Sequence, residues 1–185
     1  GVFGDRLTDD TDRQWMCDHC SAMCKEVFKC DFQSEFDHIR PSDETETGYG
    51  TLRRLFWGDY MTPADEDERP YAEVPDLQQL QERTEEALSD FNSASKKPME
   101  LVMFMFAIEH VSRIARVLRM PGGNALLVGV GGSGRQSLSI LATEMAGYQL
   151  FRIEITKSYG MTEWREDLKT VLIEAGAGDR PLVFL

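Results

Sequence analysis

Several things are missing from this sequence, and each absence removes a class of protein. No apolar stretch approaches the ~20 residues that a membrane-spanning helix needs, and no charged, then apolar, then small-residue pattern of a signal peptide opens the chain. No membrane partner is expected. Internal repeats and low-complexity tracts are also absent, which argues against a solenoid or a disordered tether. Basic side chains are scarce: 20 Lys and Arg stand against 32 Asp and Glu, a formal charge of −12. The deficit lies entirely in residues 1–99, with 23 acidic and 11 basic side chains, whereas residues 100–185 hold nine of each. Such a surface repels phosphate backbones, so no nucleic-acid partner is expected.

Cysteine is present but poorly arranged for metal. The four cysteines run Cys17-x2-Cys20-x3-Cys24-x5-Cys30, and a structural zinc site usually needs two separated pairs or a Cys pair with a His pair. Cys17, Cys20 and Cys24 fall on one helical face, which ordinary packing explains, and no metal ligands are assigned. His110 is a lone histidine, read as a hydrogen-bonded structural one.

What the sequence does contain is concentrated in Gly129-Val130-Gly131-Gly132-Ser133-Gly134-Arg135-Gln136-Ser137. It follows the phosphate-binding pattern G-x-x-x-x-G-K-[ST], with Arg135 in the Lys position and Gln136 in the Ser/Thr position. Before it, Asn124 to Val128 reads as a short apolar strand, punctuated by Pro121-Gly122-Gly123. After it, Leu138, Ile140, Leu141, Met145 and Ala146 recur at helical spacing. Strand, glycine loop and helix is the order in which backbone N–H groups and a helix N-terminus converge on an anion. A plain tight strand-to-helix connection is the alternative reading of the same glycines.

The two departures weaken catalysis more than binding. Arg135 keeps a permanent charge but carries it on a planar fork rather than an ammonium point. Gln136 lacks the small hydroxyl that meets Mg2+, a hard cation demanding near-octahedral oxygen ligands. Ser137, one position on, suits an α-phosphate and not the metal. The expected pocket is therefore Gly129, Gly131, Gly132, Ser133, Gly134, Arg135, Gln136 and Ser137, holding ADP or ATP, with weakened help from Mg2+ and no catalytic residue assigned.

The flanks read as α/β. Gln149 to Ile155 alternates in the strand manner. Thr162 to Glu174 reads as a helix with Trp164, Leu168, Val171 and Leu172 on one stripe, Thr162 as a possible cap, and Gly176 and Gly178 at its exit. Pro181 to Leu185 begins another apolar strand. The acidic residue that organises metal in P-loop ATPases ends a strand of this kind, and none stands there in this sequence.

Upstream, residues 1–38 read as helical, with Trp15, Met23, Val27 and Phe28 as packing candidates, and Pro41 to Gly50 as an acidic linker. Phe56, Trp57 and Tyr60 form an aromatic patch, either core or one wall of an adenine pocket. Thr62 to Pro70 reads as a charged loop and Asp76 to Asn92 as an amphipathic helix. Glu100 to Arg119 reads as a long, largely buried helix, and Met99, Met103 and Met105 as core fillers.

Ala107 to Arg116, Pro121 to Leu138, Ile153 to Gly160 and Trp164 to Lys169 together resemble the fourth AAA+ module of a dynein heavy chain, and the Arg135-Gln136-Ser137 variant is similar to axonemal members. Val2 to Leu7, with Asp12 and Arg13, resembles the end of the third module's helical lid. The resemblance implies an α/β P-loop NTPase fold: a partial parallel sheet with flanking helices, preceded by a helical lid segment. It divides the chain into residues 1–48, lid end plus linker, and residues 49–185, the first part of the fourth module, cut before its second acidic motif. It implies partners in the remaining AAA+ modules of the same heavy chain, and light and intermediate chains and microtubules through other regions. It places the protein in cytoplasm and cytoskeleton, in the axoneme of a cilium or flagellum, where reducing conditions disfavour disulfides. In that family the first module performs the main hydrolysis and the middle modules modulate it. Two readings follow: a regulatory nucleotide-binding module, or a structural ring segment whose loop is vestigial and empty. They part at Arg135, which the first sets on a phosphate and the second pairs with a local carboxylate. On neither reading does this segment alone hydrolyse ATP.

Overall fold

The computed structural model describes residues 3–66, 68–74 and 76–185. Gly1 and Val2, at the start of the expected lid segment, and Asp67, in the expected charged loop, lie outside the described residues. The chain divides into two compact units. One comprises residues 1–57 with 72–77, and the other residues 58–71 with 78–185.

The first unit is mainly helical. Helix α1 (Asp10–Met23) starts where the Asp9 carboxylate accepts from Asp12 N at 2.8 Å, satisfying one of the orphan donors of the first turn. It widens into a π-turn, Cys24–Phe28, ended by Lys29 at φ 58°. Short helices α2 (Phe32–Glu35) and α3 (Tyr49–Arg53) follow. Strands β1 (Phe56–Gly58) and β2 (Ala72–Val74) pair with each other. The buried side chains here are Cys17, Phe32, Ile39, Thr47, Thr51, Phe56 and Val74 among the described residues. Of the packing candidates, Met23 is half-buried, while Trp15, Val27 and Phe28 are exposed. Cys17 is the buried residue of α1, and Trp15 instead stacks on His19, 5.2 Å between ring centres. The four cysteines are free thiols. Among the described residues no three His, Cys, Asp or Glu side chains are gathered to hold a metal.

The second unit carries the glycine loop. Helix α4 (Leu77–Ala94) buries Leu80, Thr84, Ala87 and Leu88, the stripe expected from its amphipathic spacing. Helix α5 (Met105–Arg119) is shorter than the expected Glu100 to Arg119. Just before it, the Asn92 amide donates to Met99 O at 3.0 Å and accepts from Met99 N at 2.7 Å. That two-bond clamp holds Met99 in a non-helical conformation. Met103 is buried, whereas Met99 is half-buried and Met105 is exposed rather than core. His110 is half-buried and meets the Phe106 ring edge-on at 4.4 Å.

Helix α6 (Arg135–Ala146) is packed along α5, with Ile108, Val111, Leu141 and Ala142 almost wholly buried. Its polar buried residues are self-satisfied: Ser139 and Thr143 hydroxyls each donate to the carbonyl four residues back at 2.8 Å. Gly147, at φ 72°, ends the helix in the left-handed conformation, which costs a side-chain-free residue little.

Strands β3 (Gln149–Phe151) and β4 (Leu182–Phe184) pair in parallel, Leu150 opposite Val183. Parallel neighbours need a crossover, and helix α7 (Met161–Ala177) supplies it. Its Trp164 lies 6.2 Å from Phe184, ring to ring, and Leu168 and Val171 are half-buried beside it, whereas Leu172 is exposed. The helix is capped at Gly160, not Thr162, where Glu163 Oε2 accepts from Gly160 N at 2.9 Å. A bond to its own backbone, together with the one from Gly160, holds the Glu163 carboxyl below its usual range. Gly178 closes the helix, and a Cβ there would sit 2.3 Å from Glu174 O.

The expected strand Asn124 to Val128 is the main departure from the sequence reading. It forms no ladder among the described residues, and Leu126 and Val128 are 90% and 86% exposed. Strand propensity is realised only when a neighbour supplies hydrogen bonds and a face to cover, and β3 and β4 pair with each other instead. The expected strand Gln149 to Ile155 is likewise cut to the three residues that β4 reaches.

Candidate phosphate-binding loop

Residues 129–134 connect the extended segment to α6. Gly132 and Gly134 have φ of 78° and 77°, a region that side-chain-bearing residues rarely enter. The left-handed turns let the backbone curl, and Gly134 acts as the cap of α6 while its carbonyl accepts from Leu138 N at 2.8 Å. The first-turn N–H groups of α6 have no intrahelical acceptor and mark the positive end of the helix dipole. A turn of glycines leading into such a terminus is a concave donor surface for an anion. At Gly131 and Gly132 nothing lies within 4 Å of where a Cβ would stand, so the cradle is open.

The side chains are less regular than the backbone. Arg135 is half-buried, and its guanidinium donates to the carbonyls of Leu127 at 3.3 Å and Val130 at 3.0 Å. Among the described residues it has no carboxylate partner. Gln136 is exposed and Ser137 half-buried. Ser133 N donates weakly to Val130 O at 3.4 Å, and Ser133 Oγ lies 3.2 Å from the place of a Gly129 Cβ. All eight residues singled out from the sequence are therefore contiguous around one turn. All of them except Gly129 border a cleft of about 1290 Å3 that also reaches Tyr148, Pro181 and Leu185.

Phe56 and Tyr60 behave as core. Phe56 is buried in the first unit; in the second, Tyr60 is 1% exposed and donates its hydroxyl to Ser112 Oγ at 3.1 Å. Burial pushes the Tyr60 phenol up. Neither lines the cleft, and Trp57 is partly exposed.

One supporting residue escaped sequence reasoning. Arg69 donates to Met145 O at 2.8 Å and Ala146 O at 2.9 Å, the last carbonyls of α6. It thus complements the negative end of the same helix whose positive end carries the glycines. Asp59 pairs with Arg119, and its carboxylate stands 3.9 Å from Arg69. Nothing local in the sequence marks a contact spanning 77 residues. Arg69→Ala is expected to lower the opening free energy of α6 by about 2 kcal/mol, read as faster amide hydrogen exchange across residues 138–146. Unchanged exchange there would show the cap to be dispensable.

A parallel strand pair crossed over by a helix, and a glycine turn opening another helix, are elements of a P-loop NTPase fold. The comparisons agree. Residues 99–185 match the family described as the P-loop containing dynein motor region D4. The chain is 48% identical over 173 residues to dynein axonemal heavy chain 12 of Mus musculus, covering 93% of this chain and 6% of that protein. It is 45% identical over 184 residues to dynein axonemal heavy chain 3 of Homo sapiens, covering all of this chain and 4% of that one. Against dynein axonemal heavy chain 1 of Mus musculus it is 39% identical over the same span. The chain belongs to the axonemal dynein heavy chains and spans a small fraction of the length of the relatives it matches.

Proposed function

We propose that residues 129–137 bind ADP or ATP, and that the module they serve modulates the conformation of a dynein motor's AAA+ ring instead of hydrolysing nucleotide efficiently. The observation that carries this reading is the open nest at Gly131 to Gly134, with two glycines in the left-handed region at the mouth of α6. A diphosphate suits it: backbone N–H groups and the helix terminus supply the donors, Arg135 a charge, and Ser133 and Ser137 hydroxyls. Bound Mg2+ would supply charge neutralisation between phosphates, and Gln136 offers an amide oxygen where a small hydroxyl is usual. The motor as a whole would work on microtubules in an axoneme, with the remaining AAA+ modules as neighbours and with light and intermediate chains bound elsewhere. The division into residues 1–48 and 49–185, lid end and module start, belongs to the same proposal.

One observation favours the second reading, a structural segment with an empty loop: Arg135 is satisfied by backbone carbonyls of the loop itself. The metal position separates the two. ADP affinity is expected to change less than threefold on chelating Mg2+, and Gln136→Thr to raise that dependence about tenfold by restoring a hydroxyl. If neither protein binds ADP, as read by equilibrium titration, the empty-loop reading stands.

A further inference from the structure

The two bonds of Arg135 straddle Gly129. Leu127 lies two residues before that glycine and Val130 one residue after it, and a single guanidinium holds both carbonyls. The side chain also packs against the turn: its Cδ and Nε stand 3.5 Å from where a Gly129 Cβ would be. That is an ordinary contact distance, so the arginine lies along Gly129 without itself demanding a glycine there. Two carbonyls three residues apart call for a planar fork. A lysine ammonium, a single point of charge on a flexible stem, is poorly suited to bridging them.

A bidentate grip on a phosphate calls on that same fork. The carbonyls of Leu127 and Val130 and the oxygens of an incoming phosphate therefore compete for one guanidinium. We propose that Arg135 is a staple that holds the empty loop closed on itself, and that a nucleoside diphosphate or triphosphate binds by drawing it off the Leu127 and Val130 carbonyls. Occupancy then frees the segment Leu127 to Val130, which is how this site reports its state to the backbone before it. This inference rests on the reading of residues 129–137 as a nucleotide site, and deepens it by naming the positioning residue and the competing contact.

The test compares the intact heavy chain with its Arg135→Lys variant, using N-methylanthraniloyl ADP in stopped-flow fluorescence without Mg2+. The phase belonging to this loop is the one missing from a Gly134→Val protein. With the staple removed and a cation retained, that phase is expected to associate about fivefold faster, a gain of the order of one net hydrogen bond, with affinity equal or tighter. Binding by Arg135→Lys where the native chain shows none overturns displacement of the staple by nucleotide, because the native loop would then stay closed. Equal or slower association, with the native phase present, overturns the staple and leaves the nucleotide site intact. Absence of the phase from both proteins overturns both, because a lysine in the usual position would then have recovered nothing.

Discussion

Gly134→Val is expected to abolish nucleotide binding at this loop while leaving the protein folded. The reason is conformational, not steric. A Cβ at Gly134 meets only Leu138 Cγ at 3.9 Å and Cδ1 at 4.0 Å, ordinary contact distances. The obstacle is φ, at 77°, where a side chain collides with its own backbone at a cost of roughly 1–2 kcal/mol, and more for a β-branched residue. The chain can escape by flipping the residue to negative φ, which turns the 133–134 peptide and takes its N–H out of the nest. Loss of one donor weakens anion binding modestly, but misaiming the start of α6 removes several at once. Affinity for ADP is expected to fall by about 100-fold or more, near 3 kcal/mol, and ADP retained per heavy chain to fall by a single site. Circular dichroism should be unchanged, because the strain falls in an exposed turn. Retained affinity would mean that the glycines serve only as a connection.

The second large effect concerns the platform rather than the loop. Leu141 is fully buried and sits on the face of α6 that packs against α5. Leu141→Ala removes buried methyl and methylene groups and leaves a cavity walled by two packed helices, which are slow to collapse into it. The expected cost is about 3 kcal/mol, seen as a lower urea midpoint or as faster exchange of the α6 amides. An isosteric Leu141→Met should cost less than about 1.5 kcal/mol, since volume is conserved. A loss below 1 kcal/mol in the alanine variant would place Leu141 outside the core of this unit. Because α6 presents its first turn to the loop, the alanine variant is also expected to bind ADP more weakly, but by less than Gly134→Val.

The site was more legible than the scaffold. Its residues lie within nine consecutive positions, and glycine spacing encodes backbone geometry directly, as the positive φ of Gly132 and Gly134 shows. Helices α4, α6 and α7 also followed from periodicity, because a buried stripe survives whichever neighbour covers it. What failed depended on partners. Asn124 to Val128 has strand composition but no ladder, since pairing is a property of two segments. The start of α5 moved from Glu100 to Met105, and the Asn92 clamp on Met99 just before it is a contact that no periodicity reports. Thr162 gave way to Gly160 as the α7 cap, to which Glu163 reaches back. Arg69 and its grip on the end of α6 were invisible for the same reason: the partners are carbonyls, which every residue has.

Arg135 was foreseen as the residue on which two readings divide, one placing it on phosphate and the other on a carboxylate. It stands on neither, bonded to two carbonyls of its own loop. The permanent charge and broad fork that make it a poor lysine also make it a good bridge between backbone acceptors.

The most direct test of the account is a cryo-electron microscopy map of the intact heavy chain prepared in ADP, read at residues 127–137. The account predicts diphosphate density over Gly131 to Gly134, within hydrogen-bond distance of backbone nitrogens, and the Arg135 guanidinium moved from Leu127 and Val130 onto it. An empty loop with Arg135 still bonded to those two carbonyls, in a map that shows ADP in other modules, would contradict it.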